Sequence, residues 1–302
     1  MKHFILKMIY ALVPILITSA SAELLLREIP NDYSYKRDFL NKNSSNIETL
    51  FLGSSHTYYG VNPEFIKGNS FNASHISQSI DYDYEILKKY EKNWDNLKYI
   101  AIPIDYFTLF STLSSGIEYW RVKNYEIYYD INISFRLQDK FEILSMKPMI
   151  NLQRIHSFYL KSKTSITCSK SGYGIEKWKN SALSKAGLAA AKRHTNQDKI
   201  NLNSNINALQ SIISFSQHRN IKIIFYTSPA YYTYVSNLDK EQLQGTFKII
   251  NNLTDKNTNC TYYNFLEDNS FDSTDFRDAD HLNELGANKF TLKLDSIINR
   301  IE

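Results

Sequence analysis

Residues 47–56, IETLFLGSSH, decide the fold of this chain. Ile47 to Leu52 is a short, mostly apolar run of strand length, and it stops at Gly53. Two serines and a turn follow. Outward from this point the same pattern recurs. Ser70 to Ala73 reads as a second strand, and Tyr82 to Asn93 as a helix with Tyr82, Ile86, Leu87, Tyr90 and, just beyond it, Trp94 as its apolar side chains. Tyr99 to Ile104 is the next strand. A helical pattern over Ile206 to Phe215 precedes the strand Ile221 to Thr227, rich in β-branched and aromatic residues. Tyr262 to Phe265 reads as a last strand and Leu285 to Ile301 as a closing helix. Strands alternating with helices predict an α/β three-layer sandwich around a central parallel sheet.

The segment 111–200 breaks the alternation and is too long for an ordinary connection. It holds a helix-like run at Trp178 to Lys192 and several aromatics, and reads as a helical insertion packed over one end of the sheet. Residues 23–45, polar from Asn31 to Ser45, read as a linker, and 46–302 as the main domain.

The N-terminus runs MKHFILKMIYALVPILITSASAE. A basic start, an apolar run from Met8 to Thr18 and the small residues Ala20-Ser21-Ala22 give the order of a secretory signal. From Phe4 to Ala22 the stretch also approaches the length of a spanning helix if Lys7 snorkels to the interface. A cleaved signal peptide and an uncleaved anchor over 1–22 both fit. Either leaves Lys2 and Lys7 on the cytoplasmic side and the remaining chain outside, in the periplasm or at the cell surface.

Composition excludes little else. Of 302 residues, 43% are hydrophobic and 22% charged, and the net charge is +4. Two of the lysines lie in the N-terminal segment, so no basic surface for nucleic acid is expected. Cys168 and Cys260 form no CxxC pair, which argues against a zinc site. In an oxidising compartment they could form a disulfide.

Two clusters carry chemistry. Gly53-Ser54-Ser55-His56 follows a strand, and ligands of open parallel sheets bind beyond the carboxyl ends of the strands. A serine there meets substrate, and the N–H groups of the turn can stabilise an oxyanion. By itself Gly-Ser-Ser is also ordinary turn chemistry. Near the C-terminus stands Asp278-Ala279-Asp280-His281-Leu282-Asn283. An acid three residues before a histidine can sit on one tight turn, accept the Nδ1–H hydrogen bond and stabilise the imidazolium. The competing readings are a metal site from Asp278, Asp280 and His281, which lacks a second ligand cluster, and a helix cap by Asp280 or Asn283. No metal or cofactor is expected.

The pair of blocks resembles the SGNH/GDSL hydrolase superfamily. Its Gly-Asp-Ser is here Gly53-Ser54-Ser55, and its Asp-x-x-His is Asp278 to His281. The Gly-Ser-Ser form is similar to membrane-anchored proteins of cell-envelope polymer modification. The resemblance implies a flavodoxin-like sheet, Ser55 as nucleophile, His281 as base and Asp278 as its orienting acid. It implies backbone oxyanion donors at Ser55 and at Ser74, in Phe71-Asn72-Ala73-Ser74, where the family has Asn-x-Gly. The third block, normally Gly-x-Asn-Asp, is Ile102-Pro103-Ile104-Asp105-Tyr106-Phe107, without asparagine. Asp105, a poor donor when ionised, is expected to position substrate and His56 to line the pocket, while Tyr58, Tyr106 and Tyr231 on the same rim either stack on sugar rings or pack beneath the insertion. The implied activity is serine-dependent acyl transfer or ester hydrolysis on an acylated cell-envelope glycan, with a membrane-bound acyltransferase as a further partner. The rival is a non-catalytic glycan-binding or partner protein that has kept the fold.

Overall fold

Five parallel strands in the order β2-β1-β3-β4-β5 form the frame: β1 Thr49–Phe51, β2 Ser70–Asn72, β3 Tyr99–Pro103, β4 Lys222–Thr227 and β5 Cys260–Asn264. This is the flavodoxin-like order, and the sheet has helices on both sides. β1 pairs with β2 through Leu50 and Phe71 and with β3 through Leu50 and Ile100. The computed structural model describes residues 1–175, 183–196 and 198–301.

The helices are α1 Lys2–Arg27, α2 Asp32–Asn43, α3 Ser55–Gly60, α4 Ile80–Lys89, α5 Val122–Asn124, α6 Glu142–Ser145, α7 Pro148–Ile155, α8 Leu183–His194, α9 Leu202–Gln217, α10 Tyr232–Val235, α11 Lys240–Lys256 and α12 Glu284–Ile298. They arise where the sequence offers a face and an end. In α4, Ile80, Tyr82, Ile86 and Leu87 are buried, with acids in the first turn and Lys88 and Lys89 in the last, as the helix dipole favours. In α12, Asn283 Oδ1 accepts the Gly286 N–H at 3.1 Å as an N-cap. Its buried Phe290 and Leu294 pack with Phe51, Ala101, Ile224 and Tyr226 in one core cluster.

The chain forms two compact units. Phe39–Gly116 and Cys168–Glu302 hold the sheet. Met1–Asp38 and Ile117–Thr167 form the other unit. In it Tyr33 meets Tyr125 and Tyr129 edge-on, with centroids 5.1 and 6.4 Å apart. Glu142, fully buried, pairs there with Lys123 and with Arg154 Nη1 at 2.6 Å. These two charges hold its carboxyl down at about 2 although burial opposes ionisation.

Several sequence expectations change. The stretch expected as a linker is helical, because Asn31 Oδ1 accepts the N–H groups of Tyr33 at 3.0 Å and Ser34 at 3.1 Å and so starts α2. The expected insertion 111–200 does not stay together. Its middle joins the N-terminal residues in one unit, while α8 belongs to the sheet unit. The first part of the run Trp178 to Lys192 lies outside the described residues. The pairing of Cys168 and Cys260, which the sequence leaves open, is not made, and burial pushes the Cys260 thiol up to about 12.

The turn after β1 depends on one glycine. Gly53 has φ +112°, and a Cβ there would run into the Pro103 ring. Gly53→Ala should therefore cost roughly 1–3 kcal/mol of stability, seen as a lower melting temperature by circular dichroism. An unchanged melting temperature would show that the turn relaxes freely.

Candidate active site

The site grows out of that turn. Gly53 N–H donates to Asp83 Oδ1 at 2.9 Å, and Gln78 Nε2 donates to the same oxygen at 2.5 Å. Ser54 is then the N-cap of α3, its Oγ accepting the His56 N–H at 3.4 Å. Ser55 opens the helix half-buried, with its side chain beyond the carboxyl end of β1. β2 lies on one side of β1 and β3 on the other, so Ser55 stands at the switch point of the sheet, where a crevice is expected.

The second half comes from the loop between β5 and α12. Phe276 and Leu282 form an antiparallel bridge across it. Within this loop Asp278 Oδ1 accepts the N–H groups of Asp280 at 3.1 Å and His281 at 2.8 Å. The same carboxylate meets His281 Nδ1 at 2.9 Å through Oδ1 and 3.1 Å through Oδ2. Burial works against ionisation of Asp278, but the His281 hydrogen bond and charge hold it below the usual carboxylate range. With Nδ1–H given to Asp278, the other ring nitrogen is an acceptor. Ser55 Oγ lies 2.8 Å from His281 Nε2, across 226 residues of sequence. Ser55, His281 and Asp278 thus form a continuous relay, and Asp280 is farther from Nδ1, at 3.7 Å.

Behind His281 lies a second, buried set of charges. His56 Nδ1 is 2.8 Å from Asp105 Oδ2, with both side chains 4% exposed. Asp105 Oδ1 also accepts the Ser228 N–H at 2.8 Å. The His56 ring stands edge-on to His281, with centroids 4.9 Å apart. Burial alone would push the His56 imidazole down, but Asp105 and then Asp280 raise it to about 10, which favours its protonated form. Asp280 sits between His56 Nε2 at 3.8 Å and Arg193 Nη2 at 3.4 Å. Burial disfavours its charge, but His281 and then His56 keep it well below the usual range. His194, whose Nδ1 is 2.8 Å from Tyr234 Oη, is pushed down to about 3, chiefly by burial.

Most of the residues expected to touch substrate are placed elsewhere. His56 and Asp105 are buried and committed to each other. Tyr58 is buried with its ring edge-on to Tyr59, centroids 4.7 Å apart. Tyr106 is buried too, its Oη 2.8 Å from Thr195 Oγ1. Aromatic packing has taken them below the rim. Tyr231 alone of the five is half-exposed, beside Phe276 at 5.6 Å. Ser74 is fully buried, and its N–H donates to Asn72 Oδ1 at 3.1 Å, so that donor faces away from an oxyanion. Asn72 is held in turn by giving its Nδ2 hydrogens to the carbonyls of Thr57 and Val61 at 2.9 and 2.8 Å.

Residues the sequence did not single out complete the site. Arg277 lies over the Tyr59 ring at 3.5 Å, directly beside the acid of the relay. Asp83, Arg193 and His194 carried no sequence signal, since each lies in a helical pattern or just beyond it. For a metal, His56, Asp280 and His281 could offer ligand atoms within 4.8 Å of one another, as a group among the described residues. Both ring nitrogens of His281 are already engaged by Asp278 and Ser55, so the set fits a proton relay better than a cation site.

No family model matches the chain, and no curated protein matches it. Among solved structures, a Streptococcus pneumonia protein proposed to be a platelet activating factor is similar at 11% identity. That match covers 96% of this chain and 98% of that one, with a TM-score of 0.43. A Bacteroides fragilis protein proposed to be an acylhydrolase is similar at 10% identity over 87% of this chain and 96% of that one, TM-score 0.40. Superpositions this loose carry no functional argument.

The Asp83 carboxyl beneath the turn gives a pH test. Burial pushes it up to about 7, against the hydrogen bonds from Gln78 and Gly53. A raised carboxyl means the fold favours the protonated form. That contribution is whole below the unfolded value near 4 and is lost as pH rises through about 7. Asp83→Asn keeps the accepting oxygen and removes the titration. Its melting temperature relative to the parent should climb between about pH 4 and 7 and then level off. Parallel melting curves across that range would contradict the assignment.

Proposed function

We propose that this chain is a serine-dependent esterase or O-acyltransferase of the SGNH/GDSL type, acting outside the cytoplasm on an acylated cell-envelope glycan. The observation that carries the proposal is the unbroken line Ser55 Oγ, His281 Nε2, His281 Nδ1 and Asp278, with both links within 3.0 Å. In this reading His281 takes the Ser55 proton as Oγ attacks the ester carbonyl. Asp278 stabilises the imidazolium. The tetrahedral intermediate collapses, His281 returns the proton to the departing alkoxide, and an acyl-Ser55 ester remains. Water or a sugar hydroxyl, deprotonated by His281, then takes the acyl group and frees the serine. The oxyanion donor assigned here is the Ser55 N–H, which as the first of α3 has no acceptor within its helix.

The location rests on α1. This helix of 26 residues is long and apolar enough to cross a membrane. Anchoring by it would place the site beside envelope glycans. The half-exposed Tyr231 and, against it at 4.7 Å, the exposed Tyr232 offer an aromatic surface for a sugar ring.

A second reading has an observation in its favour. With Ser74 turned to Asn72 and Asp105 turned to His56, one oxyanion donor is assigned where the family uses three. A non-catalytic partner of a membrane-bound acyltransferase needs none. Steady-state hydrolysis of an activated acetyl ester separates the two. Ser55→Ala should lose at least about 10³-fold in kcat with an unchanged fold. Ser54→Ala, which loosens only the cap, should lose far less. If the parent chain has no turnover, the partner reading stands. If Ser54→Ala loses the rate and Ser55→Ala keeps it, the nucleophile is the other serine.

A further inference from the structure

The stretch Leu144–Lys163 does not look like the surface of a protein that faces only water. Leu144, Met149, Leu152 and Leu160 are 53%, 64%, 60% and 75% exposed, and Ile150 and Tyr159 are exposed beside them. This is a dense apolar surface for a single turn-and-helix segment. Its charges are of one sign: Lys147, Arg154, Lys161 and Lys163 are present, and no Asp or Glu. Of these, Lys147, Lys161 and Lys163 are exposed.

The contacts of the same unit fix the level of this stretch along α1. Glu23, buried, accepts the N–H groups of Glu142 at 3.1 Å and Ile143 at 3.0 Å and so caps the start of α6. Arg27 donates to the Lys140 carbonyl at 2.7 Å. At the other end Tyr159 Oη donates to the Leu25 carbonyl at 3.0 Å. The stretch is therefore tied at both ends to the last turn of α1. At ~1.5 Å per residue the run Phe4 to Ala22 spans roughly 28 Å, the thickness of a hydrocarbon core. Glu23 to Arg27 then falls at the headgroup level. Buried acids and ion pairs on the inner side, and apolar and basic side chains on the outer side, are what an interfacial segment needs.

We propose that Leu144–Lys163 is a membrane-interface surface that lies among the headgroups of an anionic bilayer, its leucines and Met149 entering the upper acyl region and its lysines meeting lipid phosphates. This rests on reading α1 as a membrane anchor. It goes beyond that reading by giving the folded unit its own lipid-binding face, in addition to the single helix.

The test is spin labelling of the full chain in vesicles, with single cysteines introduced at Leu12, Leu152, Leu160 and Ile200, and the unsubstituted chain as the control for Cys168 and Cys260. Collision with oxygen and with a water-soluble nickel chelate reports depth. In phosphatidylglycerol vesicles Leu12 should read deep and Ile200 aqueous, with Leu152 and Leu160 between them. Lys161→Glu with Lys163→Glu should shift both interface labels toward water in phosphatidylglycerol and leave them unchanged in phosphatidylcholine. If Leu12 is deep but Leu152 and Leu160 match Ile200, the interface proposal fails and the anchor stands. If Leu12 is aqueous, the anchor reading fails and takes the proposal with it. Labels shielded from both oxygen and nickel would mean that protein, a second copy or a partner, covers the face, which also overturns the proposal.

Discussion

The hydrogen bond from Gly53 N–H to the buried Asp83 carboxyl sets where β1 ends and α3 begins, and the rest of the site follows from that point. The chain must turn sharply there. Only a residue without Cβ can hold φ +112° against the Pro103 ring. Asp83 comes from α4, the helix that follows β2, so the turn is locked by an element formed thirty residues later. With the backbone held, Ser54 caps and Ser55 projects. A shift of one residue in this turn would exchange the cap and the projecting hydroxyl, and His281 would face the wrong side chain.

The second constraint is electrostatic. His281 is flanked by acids on its own loop and by the His56 ring behind it. The buried pair of His56 and Asp105 is costly to desolvate and is tolerated because each partner satisfies the other, with Ser228 giving Asp105 a further hydrogen bond. Asp280 then balances the positive edge of His56 and reaches Arg193 at 3.4 Å. In the proposed mechanism the proton moves on the outer side of this arrangement, between Ser55, His281 and Asp278. The inner side fixes the ring that receives it.

What was legible in the sequence was what local pattern can carry. β3 and the Ile223–Tyr226 centre of β4 are unbroken apolar runs, and the spacing of Asp278 and His281 fits one tight turn, so both are readable. α2 was not, because DYSYKRDFLNKN has no apolar stripe and its start depends on the Asn31 cap. The His56–Asp105 pair joins residues 49 apart and appears only when β1 and β3 lie side by side. For the rim tyrosines the sequence leaves packing and sugar stacking open, and burial decides for packing at Tyr58 and Tyr106. Tyr58 lies within α3 and Tyr106 just after β3, and both spend their rings on packing, which composition does not show. Ser74 failed because Asn72 captures its N–H locally.

In the proposed mechanism Ser55 is a nucleophile activated by His281. The most direct measurement is peptide mass spectrometry of the full chain after reaction with a fluorophosphonate, which phosphonylates only activated serines. One adduct is expected, on Ser55, and it should be lost in His281→Ala with the fold unchanged. An adduct on Ser54, or labelling of Ser55 that persists without His281, would contradict it.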